Sequence, residues 1–89
     1  MDDTLTLTLK APIKNADAEI SELNLSEPTI SQIEEATKLS GIAANIKLLS
    51  LNAGITERAV RQMRSSDFDR AIKYLQGFTS AGPEDGSGS

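Results

Sequence analysis

Residues 5–13 read LTLTLKAPI, and this run restricts the fold more than any other stretch of the chain. Leu5, Leu7 and Leu9 alternate with Thr6, Thr8 and Lys10, so an extended backbone places all three leucines on one face. Pro12 has no N–H to give to a ladder, so the strand is expected to end near it. One strand is not stable alone, so the leucine face requires a partner. A second extended run, AEISELNLSEP at 18–28, carries Ile20, Leu23 and Leu25 and closes on Pro28. The polar connection KNADA between the runs contains the turn formers Asn15 and Asp17, which predicts a hairpin. The interval of three between Ile20 and Leu23 breaks the alternation, as a bulge would.

Beyond Pro28 the apolar period becomes helical. Thr29 or Ser31 can cap a first helix, and Glu34 stands three residues after Ser31, the spacing of a capping box. Ile30, Ile33, Ala36 and Thr37 fall on one side, up to about Ser40–Gly41. In IAANIKLLSLNAG, residues Ile42, Ile46, Leu49 and Ala53 form a stripe that Leu48 and Leu51 widen, which predicts the most buried helix. Gly54 suits its C-terminal cap. A short helix capped by Thr56 follows, with Ala59, Val60 and Met63 on its apolar side. The last helix begins near Ser66 and presents Phe68, Ala71, Ile72, Leu75 and Phe78, with Asp67 and Asp69 in its first turn, where the helix dipole favours negative charge. Residues 80–89, SAGPEDGSGS, have the composition of a flexible tail. The expected architecture is α+β: a domain over 1–79 made of an N-terminal β-hairpin and about four α-helices, then a tail over 80–89.

Composition narrows the function. At 89 residues the chain buries about 60–65% of its extended surface, and its aromatics are Phe68, Tyr74 and Phe78 alone, so the core is aliphatic and thin. That favours self-association as a supplement. The sequence contains no Cys and no His, which removes thiolate metal sites, disulfides, Ser-His triads and the usual near-neutral base. No stretch is apolar enough to span a membrane, and no cofactor motif occurs. The expectation is a soluble cytosolic protein, not an enzyme. The net charge of −4 argues against general binding to nucleic acid or anionic membranes.

Three features carry functional readings. Arg58, Arg61 and Arg64 recur every third residue, and LNAGITERAVRQM has the outline of a helix-turn-helix, so a small DNA-binding regulator is one alternative. The blander reading, a solvated arginine stripe, fits the negative charge and the presence of Glu57. Glu34 with Glu35, and Asp67 with Asp69, resemble acid–base or metal pairs, but adjacent carboxylates on a helix do not converge, and capping accounts for the second pair. The leucine face of the hairpin is expected to pack internally, with its free strand edge available for self-association. Candidates for partner binding or self-association are Leu5, Leu7, Leu9, Pro12, Ile13, Leu23, Leu25, Pro28, Arg58, Arg61 and Phe68.

The landmarks, taken in order, resemble the small tail assembly chaperones of tailed bacteriophages, of Mu-like and related myophages and siphophages. Leu9, Pro12 and Ile13 correspond to that family's opening motif. Ile20, Leu23, Leu25 and Pro28 correspond to the second, and Asp67, Phe68, Ile72, Leu75 and Phe78 to the closing helix; the likeness spans residues 5–79. The chain departs at Ser26 and Glu27, where the family commonly has basic residues, and in KNADA, which lacks the frequent glycine. The resemblance implies a non-enzymatic factor, without cofactor, that binds the phage tape measure protein and keeps it soluble until the tail tube polymerises. It further implies a homo-oligomer in the host bacterial cytoplasm, absent from the mature virion. A frameshifted form, extended beyond about Ser80, would contact the tail tube protein. A structural component of the tail is the third alternative.

Overall fold

The computed structural model describes residues 4–79, an antiparallel hairpin followed by four helices. The hairpin is β1 (Leu5–Asn15) and β2 (Ala18–Leu25). Leu5 stands opposite Leu25 and Leu7 opposite Leu23, so the leucines of both arms share the face that is buried. The turn uses only residues 16 and 17, two rather than the five of KNADA, because both arms extend into it. Ala16 sits at φ 57, a left-handed conformation that costs a residue with a β-carbon about 1–2 kcal/mol.

The ladder breaks between Thr8 and Ile13, where residues 9–12 of β1 face Ser21 alone. The odd interval between Ile20 and Leu23 therefore meets its irregularity in β1, which carries the surplus residues. Strand pairing cannot satisfy the backbone of this bulge, and Pro12 has no N–H to satisfy.

Helix α1 (Ile30–Thr37) starts at Thr29, whose hydroxyl accepts the Gln32 N–H at 3.1 Å while Gln32 Oε1 receives the Thr29 N–H. The capping box is thus Thr29/Gln32, and Ser31/Glu34 lie two residues further in. That start rotates the helix so that Ala36 is buried and Ile33 partly so, while Ile30 and Thr37 face solvent. Gly41 makes the turn to α2 at φ 63, ψ −144, a region open essentially to glycine alone. Helix α2 (Ile42–Ala53) buries Ile46, Leu48 and Leu49 and ends at the left-handed Gly54. Its stripe is wider than the core it faces, so Ile42 and Leu51 remain exposed. Helix α3 (Glu57–Arg61) is capped by Thr56, whose Oγ1 accepts the Ala59 N–H at 3.0 Å. Helix α4 (Ser65–Thr79) begins one residue before the expected Ser66 and buries Ala71, Ile72 and Leu75.

The core is one aliphatic cluster that joins the hairpin face to α2, α3 and α4, with Leu25, Leu49, Ala59, Ala71 and Leu75 fully enclosed. Each enclosed leucine contributes roughly 2 kcal/mol of transfer free energy. The tail expected over 80–89 lies outside the described residues, as do residues 1–3.

Candidate interaction surface

The outer edge of β1 is closed by side chains. Lys14 gives its N–H to Gln62 Oε1 and takes a hydrogen bond from Gln62 Nε2 at its carbonyl, both at 2.8 Å, so one carboxamide imitates a neighbouring strand. The Thr56 N–H reaches Asn15 Oδ1 at 3.0 Å. At the bulge, Asp67 Oδ2 accepts the Lys10 N–H at 2.8 Å, Asp67 Oδ1 pairs with Arg70 at 2.6 Å, and Arg70 Nη2 also donates to the Thr8 carbonyl at 3.0 Å. Asp67 is 0% exposed, a buried charge that an ion pair and a backbone amide satisfy. Burial pushes its carboxyl up. The hydrogen bond from Arg70, that from the Lys10 N–H, the Arg70 charge and the Ala11 N–H outweigh burial and hold the pKa below its ordinary value.

The sequence reading of Asp67 as a capping residue needs correction. It stands in the first turn of α4, yet its carboxylate is committed to the β1 bulge. Pro12, the broken alternation and the Asp67–Arg70 spacing of three were the available signals; none says that the two segments meet. Asp69 pairs instead with Lys73, and Glu35 with Lys38 beside it, so the carboxylate pairs do not converge. Among the described residues no group of three His, Cys, Asp or Glu side chains could hold a metal ion. None of the helices described is long and apolar enough to cross a membrane.

On the outer edge of β2, Asn52 repeats the carboxamide device. It accepts the Ser26 N–H and donates to the Ser26 carbonyl, each at 3.0 Å, and its Nδ2 also reaches Gln32 at 2.9 Å. Glu19, Glu22 and Asn24 lie exposed along β2. No helix group bonds to them among the described residues.

The candidate residues now divide by position. Leu7, Leu9, Ile13, Leu23, Leu25 and Pro28 are buried inside the monomer, and Leu5 and Phe68 are half-buried. Pro12, Arg58 and Arg61 are exposed. The large apolar groups left at the surface belong to α1, α2 and their connection: Ile30, 79% exposed, Ile42, 66% exposed, and Leu39 and Leu51 less so. Sequence reasoning assigned Ile30 and Ile42 to helix core faces. Beside Ile42 an open groove of about 280 Å³ runs between α2, α3 and α4, lined by Ile42, Ile46, Val60, Arg61, Met63, Ser65 and Phe68.

Arg58 and Arg61 lie on α3 and Arg64 in the connection after it; the five residues of α3 span roughly 7.5 Å, too little for a recognition helix crossing a major groove. Glu57 on the same helix meets Lys47 at 3.3 Å and Arg61 at 3.7 Å. The geometry thus offers noncovalent docking on an aliphatic helical surface beside positive charge.

No curated protein and no solved structure matches the chain. A family model described as "Phage tail assembly chaperone proteins, E, or 41 or 14" matches residues 6–80, from the first strand past the end of α4. With the hairpin, the bulge and all four helices inside that match, the chain belongs to the phage tail assembly chaperone family.

Proposed function

We propose that this protein is a non-enzymatic chaperone of the phage tape measure protein, which it holds in soluble form in the host cytoplasm until tail tube subunits displace it. The observation that carries this reading is the exposed aliphatic set Ile30, Leu39, Ile42 and Leu51 on α1, α2 and their connection, in a domain whose hairpin leucines are buried or half-buried. Isolated surface aliphatics are ordinary; four of them across α1, α2 and their connection give a shallow, adaptable contact for an elongated helical partner. Such contacts are weak singly, and several copies along one client act together by avidity. The sequence has no Trp and a single Tyr, so it is poor in the aromatic anchors of a high-affinity hot spot, which suits a partner that must later be released.

The test is co-expression with the tape measure protein of the same phage. The expected outcome is a soluble complex that co-purifies, with the tape measure protein aggregating when expressed alone, and purified virions free of the chaperone. A tape measure protein equally soluble or equally aggregated with and without this chain would overturn the proposal.

A further inference from the structure

We infer that the groove between α2, α3 and α4 seats an amphipathic helical segment of the client, one that brings an aliphatic side chain together with a carboxylate one turn away. The inference rests on the chaperone reading above and assigns it a place and a chemistry.

Size comes first. The groove's volume of about 280 Å³ exceeds the roughly 150 Å³ of an apolar cavity that takes a benzene-sized guest, so an aliphatic side chain and part of its neighbour fit. Six of its seven lining residues are apolar or small (Ile42, Ile46, Val60, Met63, Ser65 and Phe68), and Ile42 stands at the rim with most of its surface in water. Its walls are helical ridges such as Ile42 and Ile46, four residues apart, which match the ridges of another helix. An extended segment would instead need a strand edge, and the open one lies on β2.

Charge decides what kind of helix. Arg61 is the one charged residue of the lining, and Arg58 and Arg64 lie one turn to either side of it in sequence, all three exposed. Arg61 meets Glu57 only at 3.7 Å and with more than half its side chain exposed, so donors remain for a second carboxylate. In a chain of net charge −4, this concentration of positive charge favours an acidic segment at one place on the surface. A second copy of the chain is the poorer occupant, because a two-fold contact through the groove brings the arginine stripes together.

The test uses overlapping peptides of roughly 20 residues covering the tape measure protein of the same phage, long enough to form helix, with fluorescence anisotropy as readout. The wild-type protein is expected to bind peptides carrying Leu, Ile or Met three or four residues from Asp or Glu. Ile42→Asp should weaken binding about tenfold or more, and Arg61→Glu several-fold, with the latter loss restored by an acid-to-Lys change in the peptide. Both positions are exposed, so circular dichroism and melting should match the wild type. Glu22→Ala, on the exposed edge of β2 and outside the groove, should leave affinity unchanged. If full-length tape measure protein binds but the groove variants bind it as well as wild type does, the groove assignment fails and the chaperone reading stands. If neither peptides nor full-length protein bind, both fail. If Ile42→Asp changes only the solution mass of the chain, the occupant is a second copy and the inference is overturned.

Discussion

The two outer edges of the hairpin are treated differently, although their strands have similar leucine spacing. β1 is fastened by α3 and α4 through Gln62, Asp67, Arg70 and, at the turn, the Thr56 N–H. β2 is held by Asn52 at Ser26 and is otherwise open, with Glu19 and Glu22 along it. The difference follows from the bulge. β1 carries backbone groups that no strand can satisfy, and a buried unsatisfied amide costs about 1–3 kcal/mol, so polar side chains had to be brought to it. β2 carries no surplus residues at the irregularity, so water can satisfy its edge, and charge on such an edge discourages pairing with other chains. One edge therefore organises the fold, and the other is kept from doing anything.

The largest effect expected from this contrast is at Asp67. Asp67→Ala leaves the Lys10 amide without its acceptor and Arg70 without its counter-ion, and should cost about 3 kcal/mol in urea denaturation. In a domain of this length that lowers Tm by more than 10 °C. Glu22→Ala on the open edge should change stability by less than about 0.5 kcal/mol. A comparable loss at both sites would dissolve the contrast.

Next in size is the acid limb. Because the Asp67 carboxyl has its pKa lowered in the folded state, its contribution is complete above the ordinary carboxylate range and is lost as pH falls through the lowered value. Asp67→Asn should therefore be destabilised at neutral pH and lose less stability than wild type between about pH 4 and pH 2. Parallel curves for the two proteins would show that Asp67 does not act through its charge.

Gln62→Ala should cost about 1 kcal/mol, since Lys14 can turn to water, but it should speed amide exchange at Lys14 well beyond that at Glu22. The smallest effect is at the turn. Ala16→Gly relieves the left-handed backbone and should stabilise by about 0.5 kcal/mol, the relief being partly offset by a more flexible unfolded chain.

Much of this arrangement was legible in residue order. Alternation in LTLTL, Pro28 and the change of period after it are local signals, and they specify the hairpin and the order of helices; Pro12 does not end β1 as expected, because the bulge takes it in and the strand runs on to Asn15. Gly54 and Thr56 could be read as caps because their chemistry acts within one turn. What could not be read depended on distance or rotation. Asp67 meets Lys10 across 57 positions, and no local pattern encodes that meeting. Ile30 and Ile42 obey the helical period and still face water, because the period fixes which residues share a face but not how wide a strip the core covers. The same limit explains why six of the residues proposed as contacts, among them Leu7 and Leu25, lie in the core: a face apolar enough to bind a partner is apolar enough to fold on itself.

Hydrogen exchange of the chain with and without a tape measure fragment tests the central claim most directly, because it reads the helical surface and both hairpin edges at once. New protection is expected in α2, α3 and the first turns of α4, around Ile42, Arg61 and Phe68, with β2 residues 18–24 unchanged. Protection confined to the β2 edge, with the helices unaffected, would contradict it.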